Sequence, residues 1–232
     1  KPSVKSTVEP KQKASAAEFL PKRRTLASLR AAALGCKGCD LYKNASQTVF
    51  GEGGKDARLM LIGEEPGDME DRRGRPFVGP AGRILDKALA EARISREEVY
   101  VTNAVKHFKF VQRGKRRLHQ RPLIREVISC KPWLQAELEI VQPNVTVCLG
   151  ATAAQSILGR SVHVTKERGK FLERDSVATV FITIHPSAIY RLRGESERRE
   201  EYRRFVDDLR LVRRRLDSME ETRKNLRGPT ES

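Results

Sequence analysis

The sequence lacks any run of about 18 apolar residues, the length from which a membrane-spanning helix is usually built. It also lacks a leader in which positive charge precedes an apolar stretch, so nothing in it directs the chain to secretion. These two absences argue against a helical membrane protein and against a secreted one. We therefore expect a cytoplasmic protein that does not enter a membrane.

Cysteine is scarce as well, and the chain of 232 residues has only four: Cys36, Cys39, Cys130 and Cys148. A chain of this length buries a core without disulfide bonds, and a reducing compartment disfavours them. The Cys-x-x-Cys pair with two further cysteines instead predicts a metal or cluster site. Four thiolates suit a [4Fe–4S] cluster and tetrahedral zinc equally. Cys148 lies in an apolar strand, where a buried free cysteine is also ordinary.

Acidic residues are in short supply relative to basic ones. There are 30 Asp and Glu against 46 Lys and Arg, which gives a net charge of +16 and a pI near 10.1. Such a surplus favours a polyanionic partner, because each neutralised phosphate releases condensed counterions. Charge alone leaves open a solvated basic surface or an acidic membrane surface, but nucleic acid is the favoured partner.

The composition divides the chain into three parts. Residues 1–24 are rich in Lys, Ser, Pro and Ala without apolar periodicity, which predicts a disordered basic tail. Residues 25–217 form the expected single domain, and residues 218–232 a polar C-terminal tail.

Within the domain, short apolar runs alternate with amphipathic stretches. We predict strands at 57–62, 99–102, 145–149 and 180–184, and helices at 25–34, 80–93, 123–141, 151–158 and 195–216. This order predicts an α/β fold with three layers, in which helices cover both faces of a central, mainly parallel four-stranded sheet. In such folds ligands bind beyond the carboxyl ends of the strands.

Polar and aromatic side chains follow three of the predicted strands. Glu64 and Asp68 come after the first, with Phe77 a little further on, Asn103 follows the second and His185 the fourth. Each has a structural explanation by itself, as a turn former, a strand cap or a loop histidine. Together at one sheet edge they predict a binding pocket. The segment 79–82 begins a helix. Its free backbone N–H groups could bind a phosphate, or the segment could be an ordinary helix start.

Four segments carry a resemblance to a known family: 63–68, 76–82, 101–103 and 185–187. They resemble, in order, the signature segments of the iron–sulfur uracil-DNA glycosylases of family 4, over about Leu26 to Leu216. The resemblance implies a monomeric DNA-repair hydrolase that acts on uracil in DNA, on a single strand or on a flipped-out base. It also implies that the four cysteines hold a [4Fe–4S] cluster.

The resemblance further implies a role for each pocket residue. Phe77 would stack on uracil, and Asn103 would bind its Watson–Crick edge, since an amide offers both a donor and an acceptor. His185 would donate to O2, where negative charge develops as the glycosidic bond breaks. The remaining substrate-binding residues would be Glu65, Gly67 and Asp68.

The stretch 107–121 departs from family 4, which has a short link there. Its Lys115, Arg116 and Arg117, followed by His119, are similar to the UdgX branch, whose members form a covalent complex with uracil-containing DNA. Composition alone predicts that the stretch binds DNA phosphates and that His119 is one more DNA contact. With the resemblance, His119 would attack C1′, and the three basic neighbours would lower its pKa.

Three further expectations complete this assignment. Glu64 would orient or deprotonate His119, or position a water molecule, and Ser187 would contact DNA. Glu65 stands where the UdgX branch has glutamine, and a carboxylate there should disfavour an anionic leaving base unless it points away. A conventional glycosylase that turns over and a non-catalytic nucleic-acid-binding module are the alternatives.

Overall fold

The computed structural model describes residues 15–174 and 177–226. Its strands are β1 (Leu59–Gly63), β2 (Val99–Asn103), β3 (Phe110–Arg113), β4 (Arg116–His119), β5 (Val145–Leu149), β6 (Phe171–Arg174) and β7 (Val177–Thr183). Its α-helices are α1 (Leu26–Ala33), α2 (Asp68–Arg73), α3 (Pro80–Glu91), α4 (Ile124–Val141), α5 (Ala151–Leu158), α6 (Val164–Glu167), α7 (Pro186–Arg191) and α8 (Glu195–Leu226). Short 3-10 helices lie at Ala16–Phe19, Asp40–Lys43 and Arg96–Glu98.

The main sheet has the strand order β2-β1-β5-β7-β6, and every neighbouring pair except β6 with β7 is parallel. The predicted α/β architecture with a mainly parallel sheet is therefore confirmed. The predicted count of four strands is wrong, because β6 adds a fifth strand at one edge. This strand has only four residues, two of them charged, so it carries no apolar run that a sequence pattern would detect.

Both faces of the sheet are buried, as the continuous apolar strands require. In β1, Leu59 and Leu61 pack on the side of α3 and α8, while Met60 and Ile62 pack on the side of α4 and α5. This alternation follows from the two-residue period of a strand. The carboxyl ends of β1, β2 and β7 thereby reach the same rim of the sheet.

A third apolar cluster lies beside the sheet, and it involves the start of the described chain. Ala16 is buried there with Leu29 of α1 and Trp133 of α4, and the Ser15 side chain caps the first 3-10 helix. The structure therefore differs from the expected disordered tail at residues 15–24, because an apolar residue anchors this segment. Residues 1–14 of that expected tail lie outside the described residues.

The last helix, α8, continues ten residues beyond the expected end at Leu216. Arg58 supports the extension, since its guanidinium donates to the Leu216 carbonyl at 2.7 Å and to Glu220 at 2.8 Å. The expected polar tail is thus helical as far as Leu226, and residues 227–232 lie outside the described part. No helix in the described ranges is long and apolar enough to cross a membrane.

Candidate active site

Three of the predicted pocket residues surround Gly63 at the end of β1. A Cβ atom added there would lie 2.3 Å from Asn103 Oδ1, 2.8 Å from Phe77 Cζ and 3.4 Å from His185 Nε2. Glycine alone leaves this space free. The cavity beside it measures about 410 Å³, and the predicted residues that line it are Glu65, Gly67, Asp68, Phe77, Asn103, His119, His185 and Ser187.

The position of Phe77 depends on an unusual backbone conformation. Its φ of 56° lies in the left-handed region that residues with a Cβ rarely adopt. A Cβ at Gly82 would lie 1.7 Å from the Phe77 carbonyl oxygen, so this glycine lets the backbone of Phe77 close onto α3. The Phe77 ring stacks with His185 at a centroid distance of 6.0 Å and an interplanar angle of 27°. The ring therefore forms a fixed wall of the cavity.

His185 presents a neutral N–H donor to the cavity. Its Nδ1 accepts the backbone N–H of Ser187 at 3.1 Å, which places the ring proton of the neutral form on Nε2. Burial, with Arg191 and His119 nearby, lowers the pKa of His185 to about 4, so the ring is uncharged at neutral pH. The Ser187 hydroxyl also lies 2.8 Å from Nδ1, so Ser187, expected to contact DNA, serves here to orient His185.

A buried ion pair that the sequence did not suggest holds the backbone of Asn103. Lys106 Nζ donates to the Asn103 carbonyl at 2.9 Å and to Glu137 Oε2 at 2.5 Å, and both charged side chains are 0% exposed. Thr102 and Tyr100 also donate to Glu137. Breaking such a pair typically costs about 3–5 kcal/mol, because the remaining charge is buried without a partner. No local pattern signals a contact between positions 31 residues apart.

The basic stretch, in which we predicted no strand, forms a β-hairpin. Strands β3 and β4 pair antiparallel through a turn at Gly114, whose φ of 58° suits a two-residue hairpin turn. Alternation along the strands places Val111 and Leu118 on the exposed side. Arg117 and His119 lie on the opposite side, where His119 reaches the cavity.

Arg117 anchors this hairpin to α2 and does not face solvent as a phosphate ligand would. Its guanidinium donates to Asp68 at 2.5 Å and to Asp71 at 2.6 Å, and it lies over the rings of Phe108 and Phe110 at 5.3 and 5.0 Å. Its side chain is 10% exposed. Arg117, which we expected to bind DNA, is therefore engaged by two carboxylates in this structure, whereas Lys115 and Arg116 are exposed as expected.

The carboxylate against His119 is Glu65, not Glu64 as expected. His119 Nε2 lies 3.0 Å from Glu65 Oε1, whereas Glu64 accepts a hydrogen bond from the Thr152 hydroxyl and lies 3.7 Å from Arg121. Burial lowers the pKa of His119; Glu64 opposes this effect and Arg191 adds to it. The hairpin's own basic residues, which we expected to lower this pKa, are not among its causes.

The carboxyl group of Glu65 is held in its neutral form. Burial and the nearby charge of Glu64 raise the pKa of Glu65 to about 10. The expected repulsion between this side chain and an anionic leaving base therefore does not arise at neutral pH.

The structure separates the four cysteines into a group of three and a single one. Cys36, Cys39 and Cys130 belong to the third apolar cluster. Trp133 Nε1 donates to Cys36 Sγ, and the backbone N–H of Lys106 donates to Cys130 Sγ, both at 3.2 Å. Cys148, expected as the fourth ligand, instead packs among apolar residues of the sheet, apart from the other three. Within the described ranges, no three His, Cys, Asp or Glu side chains already stand in a metal-binding arrangement.

His107 is a candidate ligand that sequence reasoning missed. It is buried directly after Lys106, whose N–H contacts Cys130, and its Nε2 lies 2.9 Å from the Thr48 hydroxyl. Burial lowers the pKa of His107 to about 4, so the imidazole is neutral. The sequence did not suggest His107 as a ligand for two reasons. It lies within the stretch expected to bind DNA, and a fourth cysteine is present elsewhere.

The start of α3, which suited either a phosphate or a simple helix start, already has an internal acceptor. The Gly79 N–H donates to Glu70 Oε1 at 2.8 Å. A carboxylate at a helix N-terminus compensates the dipole as a phosphate would. This favours the interpretation as a helix start.

Comparison with known proteins agrees with this geometry. A sequence model described as the uracil DNA glycosylase superfamily matches residues 50–210. A type-4 uracil-DNA glycosylase of Thermotoga maritima is 39% identical over 165 residues, covering 71% of this chain and 82% of the relative. One from Archaeoglobus fulgidus is 36% identical over 177 residues, covering 73% and 83%. A type-5 uracil-DNA glycosylase of Pyrobaculum aerophilum is 32% identical over 155 residues, covering 59% and 64%. The chain belongs to the uracil-DNA glycosylase superfamily.

Proposed function

We propose that this protein is a DNA-repair enzyme that excises uracil from DNA. The observation that carries the proposal is the convergence of Asn103, Phe77 and His185 around Gly63. The Asn103 amide matches the donor and acceptor pattern of uracil, and cytosine would leave buried groups unpaired. Because a base inside a duplex cannot enter the cavity, the substrate is a flipped-out or single-stranded uracil.

Cleavage of the N-glycosidic bond sends its electron pair to uracil N1 and spreads negative charge onto O2. His185 Nε2–H is the donor for that charge, and its neutral state avoids burying a cation before the reaction. A donor already in place for a developing anion typically contributes about 3 kcal/mol. The sugar that remains has oxocarbenium character and is open to a nucleophile.

We propose that the nucleophile is His119, which then holds the DNA covalently through C1′. The hairpin supports this role because it brings His119 into the same cavity as Asn103 and His185. The lowered pKa of His119 keeps its imidazole neutral, as a nucleophile requires.

Mixing the protein with a uracil-bearing oligonucleotide tests both proposals. A denaturing gel detects a protein band shifted by the mass of the DNA, and chromatography detects free uracil. Uracil without a shifted band would identify a conventional glycosylase that turns over. Equal binding to uracil-free DNA with no base release would contradict the enzymatic proposal.

We expect Lys115 and Arg116 to contribute to the salt dependence of DNA affinity, because both are exposed on the hairpin. Each lost phosphate contact should reduce the log–log salt slope by about 0.9 on duplex and 0.7 on single strands. The double variant K115A/R116A should therefore show the shallower slope in binding titrations. Arg117→Ala is the comparison, and it should instead lower the free energy of unfolding by roughly 3 kcal/mol, since it leaves the buried Asp71 without its cationic partner. An unchanged slope in the double variant would contradict this role.

We propose that Cys36, Cys39, Cys130 and His107 hold a [4Fe–4S] cluster. Three thiols and a neutral imidazole supply four donors, and N–H groups that donate to the ligand sulfur atoms commonly stabilise such clusters. The cluster would act as a cross-link between the segment 36–39 and α4. The chain's own residues, not the cluster, carry the chemistry at uracil.

The purified protein is expected to be brown and to contain about four irons per chain. Cys130→Ala and His107→Ala should lose iron, whereas Cys148→Ala should retain it, because Cys148 lies apart from the other three cysteines. His107→Cys restores a fourth thiolate and should keep the cluster even if the alanine variant folds poorly. Elemental analysis and visible absorption measure these outcomes. Zinc in place of iron, or loss of iron from Cys148→Ala alone, would contradict the ligand set.

A further inference from the structure

Glu65 makes a contact in the active site that the proposed reaction does not yet use. Its side chain is 0% exposed, and Oε1 lies 3.0 Å from His119 Nε2. Neither carboxyl oxygen makes a hydrogen bond of good geometry within the described residues, and the backbone of Lys109 supplies only a weaker contact. The His119 imidazole is the basic side chain that this buried carboxyl group contacts.

The charges around this contact determine which partner carries the proton. Glu65 faces Glu64 and Glu126, which disfavour its ionised form, and Lys109, which favours it. The two carboxylates and burial prevail, and the pKa of Glu65 rises to about 10. His119 faces Glu64 and Arg191, and with burial dominant its pKa is lowered. At neutral pH the pair therefore consists of a carboxylic acid and a neutral imidazole.

The protonation of this pair fixes the tautomer of His119. A carboxylic acid donates its O–H to an imidazole nitrogen, and that nitrogen must then carry a lone pair. Since the nitrogen facing Glu65 is Nε2, the ring hydrogen lies on Nδ1. An ionised carboxylate would instead accept from Nε2–H and leave no lone pair at that atom.

We propose that Glu65 is a positioning residue that fixes His119 as the Nδ1–H tautomer, so that Nε2 carries the lone pair that leaves the Glu65 O–H and attacks C1′. This inference rests on the proposed covalent function. It assigns Glu65 a role that an amide in the same place would also fulfil, because an amide N–H can donate to Nε2.

The step balances without another reactant. The glycosidic bond breaks with its electron pair on uracil N1, and the Nε2 lone pair leaves the Glu65 O–H and forms the bond to C1′. The resulting imidazolium releases its Nδ1 proton to solvent, and the uracil anion takes one proton from solvent. Glu65 keeps its own proton throughout.

The tautomer is measured directly in the free, full-length protein by nitrogen-15 NMR of labelled histidine. The chain has four histidines, and the His119→Ser variant assigns the signal. We expect the Nδ1–H form in the parent protein and in Glu65→Gln. Observation of the Nε2–H form, or of a charged ring at neutral pH, would overturn the inference whatever the enzyme does to DNA.

The second measurement is the ratio of covalent adduct to released uracil in one reaction. Glu65→Leu keeps an apolar side chain of similar size but has no donor, and the ratio should fall about tenfold, as the loss of one hydrogen bond would produce. Glu65→Gln should restore the ratio to within about threefold of the parent. A ratio equal to the parent's in Glu65→Leu would contradict the role of Glu65, whereas absence of adduct in the parent protein would contradict the proposed function itself.

The same ratio also has an expected pH dependence. As the pH rises towards about 10, Glu65 ionises and favours Nε2–H, so adduct formation by the parent should decline relative to uracil release. Glu65→Gln shares every other ionisation and should show no such decline. Parallel profiles for the two proteins would contradict the inference.

Discussion

His119→Ser is expected to abolish the denaturation-resistant adduct and to turn the protein into an enzyme that releases free uracil. The residues proposed to bind uracil and expel it lie outside the hairpin: Asn103 ends β2, Phe77 precedes α3 and His185 caps α7. Serine removes the imidazole but leaves this machinery intact. The His119 side chain is 35% exposed, so solvent can occupy the space it vacates and attack C1′ in its place.

The measurement pairs released uracil with the shifted protein band from the same reaction. Lys115→Ala is the matched control, because it alters the same hairpin at an exposed position and should retain the adduct at low salt. A stable adduct in His119→Ser would mean that another residue is the nucleophile. Loss of both adduct and uracil release would mean that His119 serves cleavage or folding, and the separate trapping step would then be wrong.

The sheet rim is the part of the site that sequence predicted best. Apolar runs located β1, β2, β5 and much of β7, and the rule that ligands bind at the carboxyl ends of parallel strands then selected Asn103 and His185. Gly63 and Gly82 have a role that only coordinates reveal, since one leaves space between Asn103, Phe77 and His185 and the other lets Phe77 approach α3.

The hairpin shows why some expected positions differ from those in the structure. Residue type alone does not distinguish Lys115, Arg116 and Arg117. The two-residue period of β4 places Arg117 on the inner side, where it contacts Asp68 and Asp71. The same reasoning applies to the cysteines. Counting them cannot show that Cys148 lies in the apolar layer of the sheet while His107 lies next to the residue that contacts Cys130.

The two glutamates after β1 illustrate a different limit. Adjacent positions in an irregular segment point in different directions, and sequence gives no means of choosing between Glu64 and Glu65 as the partner of His119. The two side chains also have different surroundings. Glu64 contacts Thr152 and Arg121, whereas burial raises the pKa of Glu65. The expected electrostatic penalty of Glu65 assumed an ionised group, and burial removes that charge.

His185→Ala is expected to slow cleavage of the glycosidic bond by about 100-fold, and so to reduce adduct and free uracil together. In the proposed mechanism the ring donates from Nε2 to the oxygen on which charge develops, and losing one such donor typically costs about 3 kcal/mol in the transition state. Both products share this step, so their ratio should stay as in the parent protein. That outcome distinguishes His185 from His119, whose replacement changes the ratio.

His185 also caps α7, and the control must separate this role from catalysis. His185→Asn keeps a side chain that accepts the Ser187 N–H, because asparagine is a favoured N-cap, but it lacks the reach of the imidazole. We expect it to melt near the parent's temperature and to cleave as slowly as the alanine variant. In the parent protein, the rate of single-turnover cleavage should not change through ionisation of His185 above about pH 5. Burial lowers the pKa of His185 to about 4, and the neutral ring is the donor. If His185→Asn cleaved at the parent's rate, helix capping would be the function of His185, and the donor to uracil O2 would have to come from another group.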